Sequence, residues 1–144
     1  MVRKQLSVVL ILCVCLVACR DPRTASVMVS DANVALQFTK ALTVRQYVQA
    51  YAMTAKEYQK RVSMEEMRTA FEAIVPPDWV VRGPAPMTDV MVVKTMADWP
   101  DKKPQDLAWV YVGIPGDAYS EGLVAILSNE GGTTKVRDVQ WGRP

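Results

Sequence analysis

Few side chains in this sequence can do nucleophilic or acid–base chemistry at neutral pH. Histidine is absent, and all three cysteines, Cys13, Cys15 and Cys19, fall before residue 20. Without histidine the commonest general base and metal ligand is gone. With no thiol after Cys19, Ser–His and Cys–His nucleophilic systems are excluded from the rest of the chain, as are zinc sites built on His or Cys. Carboxylate, lysine and tyrosine chemistry remains. The acidic neighbours Glu65 and Glu66, and the pair Asp98 and Asp101, are the candidates. Carboxylate catalysis needs two groups converging in a shielded cleft. Glu66 fits better as the capping partner of Ser63, and Asp98 and Asp101 share a polar loop with Lys102 and Lys103. The expectation is a protein that is no enzyme and takes no metal and no cofactor.

Cys19 is the exception, because of what precedes it. Arg3 and Lys4 form a charged tip, an uncharged apolar run follows from Leu6 to Val17, and Leu16-Val17-Ala18 leads into the cysteine. A charged tip, a short apolar run and small residues before a cleavage point make a secretory signal. The run is shorter than the ~20 residues of a comfortable membrane span. Leu16-Val17-Ala18-Cys19 resembles the lipobox of bacterial lipoproteins. The resemblance implies a diacylglyceryl group on the Cys19 thiol, cleavage before Cys19 and acylation of the new amino group. Cys13 and Cys15 then read as small hydrophobes of the apolar run. Several acyl chains give stable attachment where one alone is marginal, each buried CH₂ adding ~0.8 kcal/mol. Arg20 after the cysteine, with Asp21 next, resembles the outer-membrane sorting pattern. The expected organisation is a signal peptide over 1–18, a lipidated start and tether over 19–30, and one domain over 31–144.

The whole chain has 17 basic and 15 acidic residues; loss of 1–18 removes Arg3 and Lys4 and leaves the signs balanced. A neutral domain lacks the basic face that nucleic acid requires. Its length suffices to bury a core without disulfides.

The elements that hold these residues follow from periodicity. Residues 20–30 have no clear period and read as a tether, reaching ~35 Å if extended at ~3.3 Å per residue. From Ser30 or Asp31, Val34, Phe38 and Leu42, with Ala35 and Ala41, mark one helical stripe. Thr43-x-x-Gln46, Thr54-x-x-Glu57 and Ser63-x-x-Glu66 each fit a capping box, predicting three helix restarts. Tyr47, Val48 and Tyr51 are expected to face inward, then Tyr58 and Val62, then Met64, Met67, Phe71 and Ile74. Pro76-Pro77 ends the helical half. Strands are predicted over Met87–Met96, Leu107–Ile114, Gly122–Ser128 and Thr133–Trp141, the second apolar on both faces and so central. Asn129-Glu130-Gly131-Gly132 is a hairpin connection.

Helices followed by an antiparallel meander give an α+β fold. Phe38-x-x-Ala41-Leu42, Tyr47-Val48-x-Ala50-Tyr51, Ser63-Met64-Glu65-Glu66 and the terminal Gly131–Trp141 run resemble NTF2-like (cystatin-like) domains. That resemblance implies short N-terminal helices on a curved antiparallel sheet. The interior acid and histidine of NTF2-like enzymes are missing, so no catalytic residue carries over.

Two functional readings follow. The first is a lipid-anchored periplasmic protein that binds another envelope protein, such as a secretion-apparatus component or a toxin it neutralises; Trp99, in the loop Trp99–Pro104, is the candidate contact. The alternative is a carrier of a small apolar ligand, with Tyr47, Tyr51, Tyr58, Trp109 and Tyr111 lining a pocket of the sheet. For the core, Phe71 is expected to be buried against the sheet beside Trp109. For the anchor, mass spectrometry of the mature N-terminus should find an acylated Cys19 and no residues 1–18. Cys19→Ser should leave the protein unprocessed or soluble; normal processing and membrane retention of that variant would overturn the lipid reading.

Overall fold

The computed structural model describes residues 22–79, 89–116 and 120–144, with side chains from Val29 onward. Among these residues four helices, α1 (Pro22–Thr43), α2 (Tyr47–Ala52), α3 (Lys56–Gln59) and α4 (Met64–Ile74), precede four strands. These are β1 (Met91–Met96), β2 (Asp106–Pro115), β3 (Ser120–Glu130) and β4 (Thr133–Trp141), in one antiparallel sheet of order β1-β2-β3-β4. The fold class is α+β, as expected.

The meander follows from its turns and alternation. Gly131 and Gly132 take φ of 60° and 82°, which a two-residue hairpin of the primed kind needs at both central positions. The Gly132 N–H donates to the Asn129 side chain at 3.0 Å. On β2, Ala108, Val110, Val112 and Ile114 face the helices, and on β3 Leu123, Ala125 and Leu127 join them. On β4 the core residues are Val136 and Val139, three apart rather than two. The ladder explains the spacing: Ile126 faces Asp138 and Leu127 faces Val136, so Arg137 is the extra residue of a bulge.

The helices cover one face of this sheet. Ala35, Phe38, Ala41 and Leu42 of α1 are buried there, with Met67 and Phe71 of α4. Helix α1 is described from Pro22 onward. After α1, Arg45 adopts φ 61°. Its N–H bonds to Leu42 O at 3.0 Å and that of Gln46 to Ala41 O at 2.8 Å, the paired closure of a Schellman motif. Glycine is the usual residue there, and a side chain in this conformation costs ~1–2 kcal/mol. The Arg45 guanidinium supplies the compensation. It donates to Val75 O and, at 2.9 Å, to Pro76 O beyond the end of α4, donates to the Tyr47 hydroxyl, and lies 5.3 Å over the Phe71 ring.

Only one of the three capping boxes forms. Ser63 accepts from the Glu66 N–H while Glu66 accepts from the Ser63 N–H. Thr43 and Thr54 sit at the ends of preceding helical turns, and their hydroxyls donate back to Lys40 O and Tyr51 O. Two expected inward residues are exposed, Val48 at 72% and Met64 at 37%. In the six-residue α2, Tyr47, Ala50 and Tyr51 form the inward face at i, i+3 and i+4, which turns Val48 outward. The strands match, with β1 shorter at its start than predicted; residues 87 and 88 lie outside the described residues.

Phe71 is buried, but its ring neighbours are Tyr47 and Trp141, not Trp109. Trp109 is an odd-numbered residue of β2 and so projects from the opposite face.

Arg45→Gly should test the compensation argument. It relieves the backbone strain yet removes the carbonyl and hydroxyl bonds, so chemical denaturation should show a net loss of about 1–3 kcal/mol. An unchanged or raised midpoint would show that the side chain contributes nothing.

Candidate functional site

The aromatic set proposed for a pocket is divided by the sheet. Tyr47, Tyr51 and Tyr58 lie among the helices, while Trp109 and Tyr111 lie on the other face, ring centroids 6.5 Å apart. The five residues therefore line no common cavity. Each of the three helical tyrosines is occupied structurally. The Tyr51 hydroxyl donates to Val62 O at 2.9 Å. Tyr58 is buried beneath the Arg61 guanidinium, and burial pushes its hydroxyl up to about 12, the Asp138 charge adding to the effect.

Tyr47 belongs to a polar chain along α4. Arg45 donates to its hydroxyl at 3.0 Å, and that hydroxyl donates to Glu72 Oε1 at 2.8 Å. Arg68 donates to the same Glu72 oxygen at 3.1 Å and stacks over the Tyr47 ring. Burial raises the Tyr47 hydroxyl above its ordinary pKa; the Arg45 hydrogen bond works against this. The Tyr47 hydrogen bond holds the Glu72 carboxyl below the usual range, and Arg68 adds to the depression. Every member of the chain is satisfied by another, so it ties α2 to α4 rather than presenting a free acid or base.

The candidate carboxylates do not converge. Glu66 is the Ser63 cap and Glu65 pairs with Arg68 at 3.7 Å on the surface of α4. Asp98 and Asp101 are exposed in the loop between β1 and β2. Among the described residues no three His, Cys, Asp or Glu side chains group to hold a metal, and no helix is long and apolar enough to cross a membrane. Cys19 lies outside the described residues.

Among the described residues no helix packs on the other face of the sheet, which carries the open surface. At one end Trp109, Val124 and Ile126 are buried, with Met96, Trp99 and Tyr111 packed around them. Trp99, the expected contact residue, is half-buried in this cluster, and the Lys102 ammonium sits 5.5 Å over its ring. Lys102 Nζ also donates to Ala97 O, which closes the loop onto the aromatic ring. Beyond Tyr111 the face opens into a groove of about 280 Å³, lined by Met91, Val93, Tyr111, Gly113, Pro115 and Glu121 among others. Two cross-strand glycines shape its floor. A Cβ on Gly113 would lie 3.0 Å from Val93 Cγ2, and one on Gly122 would lie 2.5 Å from Tyr111 Cε2. Their bare backbones let Val93 and Tyr111 lie down on the sheet.

The groove is bounded by β1, whose Met91, Val92 and Val93 are 58%, 36% and 55% exposed. Sequence reasoning missed this surface. A Met-Val-Val run reads the same in a buried strand as in an exposed edge, and only the strand order distinguishes them. No protein family matches the chain, nor does any characterised protein or solved structure.

The Tyr47–Glu72 bond has a measurable consequence. A depressed carboxylate stabilises the fold above its ordinary pKa, and that contribution is lost as pH falls through the lowered value. In a proton titration followed by NMR, Glu72 should titrate below the ordinary glutamate range. Tyr47→Phe should move it back toward that range, and an unmoved Glu72 would show that the hydroxyl is not its main support.

Proposed function

We propose that the chain is a lipid-anchored envelope protein whose domain works by binding another protein. The observation that carries the binding reading is the exposed apolar strip Met91–Val93 at an open groove. Exposed apolar surface of this kind, edged by polar residues, characterises interaction sites. The anchor rests on Leu16-Val17-Ala18-Cys19 behind the charged tip. In this reading Cys19 carries the lipid, the domain faces the periplasm, and Arg20 directs it to the outer membrane. An NTF2-like arrangement, with helices on one face of a four-stranded antiparallel meander, is part of the proposal. A binding role rather than catalysis accords with the lack of histidine and of any thiol beyond Cys19.

The carrier alternative draws on the groove. With the tyrosines of α2 and α3 on the other side of the sheet, a ligand would contact Met91, Val93, Tyr111 and Pro115 instead, in an open trough. Ligand sites bury most of their ligand in a cleft, so the trough favours a protein surface over a small molecule.

Capture experiments should use the tagged full chain in detergent-solubilised membranes. An envelope protein should co-purify with the wild type and fall about tenfold with Met91→Lys, because hot-spot truncations commonly cost 1–2 kcal/mol. The variant's melting temperature should stay near wild type, since Met91 is exposed. Capture indifferent to Met91→Lys, or a purified domain carrying a small molecule against Tyr111, would replace this reading with the carrier.

A further inference from the structure

We infer that β1 is a self-association edge, through which two copies of this chain pair antiparallel about a two-fold axis. The inference rests on the reading of β1 as a protein-binding surface and names its occupant. Strand β1 ends the sheet, and among the described residues no strand pairs with its outer side. A strand edge with free N–H and C=O groups and apolar side chains is a template for another strand. The opposite edge is not free. The Ala55 N–H bonds to Val136 O at 2.8 Å and the Val136 N–H to Met53 O at 3.0 Å, so the segment between α2 and α3 occupies the outer side of β4 near its middle. With one edge open and the other blocked near its middle by the α2–α3 segment, pairing closes at two copies instead of growing into a fibre.

The charges beside the apolar strip select a second copy. Asp89 and Lys94 flank Met91–Val93 and stand equally far from a point between Met91 and Val92. An antiparallel copy runs the same pattern backwards. A two-fold pairing centred on Met91 or on Val92 brings Asp89 within one residue of Lys94 of the partner subunit, and symmetry makes that contact twice. A parallel copy would set like charges side by side. Neither Asp89 nor Lys94 has an ion-pair partner among the described residues. The irregularity between Val92 and Lys94 adds twist beyond it, which confines the regular ladder to the residues around Met91.

Sedimentation equilibrium of the full chain in density-matched detergent reads the assembly directly. The wild type should be a dimer. Asp89→Lys and Lys94→Asp should each weaken self-association by about tenfold, as two attractive cross-strand pairs become repulsive. The double variant Asp89→Lys with Lys94→Asp should recover wild-type association, which no folding defect would produce. Met91→Glu, placing like charges at the centre, should give a monomer that melts like the wild type. A monomeric wild type at every concentration overturns the inference, even where an envelope protein is still captured through Met91. A dimer indifferent to both single charge reversals, or a double variant that stays dissociated, overturns it equally.

Discussion

The buried ion pair between Asp106 and Arg137 is the contact on which the sheet depends. Their side chains are 0% and 4% exposed, and Arg137 Nη2 donates to Asp106 Oδ2 at 3.0 Å while Nε donates to Oδ1. Asp106 opens β2 and Arg137 lies in β4, so the pair reaches across β3. Removing one partner of such a pair leaves an uncompensated charge and costs ~3–5 kcal/mol, a large share of the ~5–15 kcal/mol of a typical domain. Arg137 is available because it is the bulged residue, and the same bulge places Val136 and Val139 together in the core. Asp106 also accepts the Lys103 N–H at 2.8 Å, which fixes the end of the loop that lays Trp99 on Trp109. Around Arg137 the helical half is fastened as well: Met53 and Ala55 bond to Val136, and Arg61 donates to Arg137 O.

A second polar centre organises the helices. Arg45 holds a backbone conformation that its side chain disfavours, and the same side chain caps the carbonyls past α4 and reaches Tyr47. The chain from Arg45 through Tyr47 and Glu72 to Arg68 aligns α2 with α4 over Phe71. Buried apolar contact supplies the attraction between helices and sheet, but it is non-directional. These two arginine centres set the registry between the layers, each with donors aimed at carbonyl or carboxylate oxygens. The β1 edge and its groove lie on the surface that these two centres do not use.

Much of the fold was legible in local patterns. The strand Asp106–Pro115 and the Gly131-Gly132 turn were readable because β-forming residue types and the positive φ that glycine allows are properties of neighbouring residues. The Ser63 box was readable for the same reason. The Thr43 and Thr54 boxes misled because a hydroxyl can serve the end of one helical turn as readily as the start of the next, and the choice depends on where the chain packs. The aromatic pocket failed because sequence places Tyr47 and Trp109 on inward faces without saying which side of the sheet is inward.

The sequence by itself determined the α+β order, the strand positions, the Ser63–Glu66 cap and the absence of histidine and of thiols beyond Cys19. It also supplied the Cys19 signal on which the proposed anchor stands. Those properties reside in residue types and spacings of a few positions. Tertiary structure decided that Arg137 is a buried bulge residue rather than a surface cation, that Arg45 occupies a glycine's conformation, and that Met91–Val93 is an exposed edge. Each depends on a partner tens of residues away in the chain: Asp106, the carbonyls of Val75 and Pro76, and the strand β2 that covers one side of β1 and leaves the other open. Burial and pairing energies are set by such distant neighbours, and local periodicity carries no record of them.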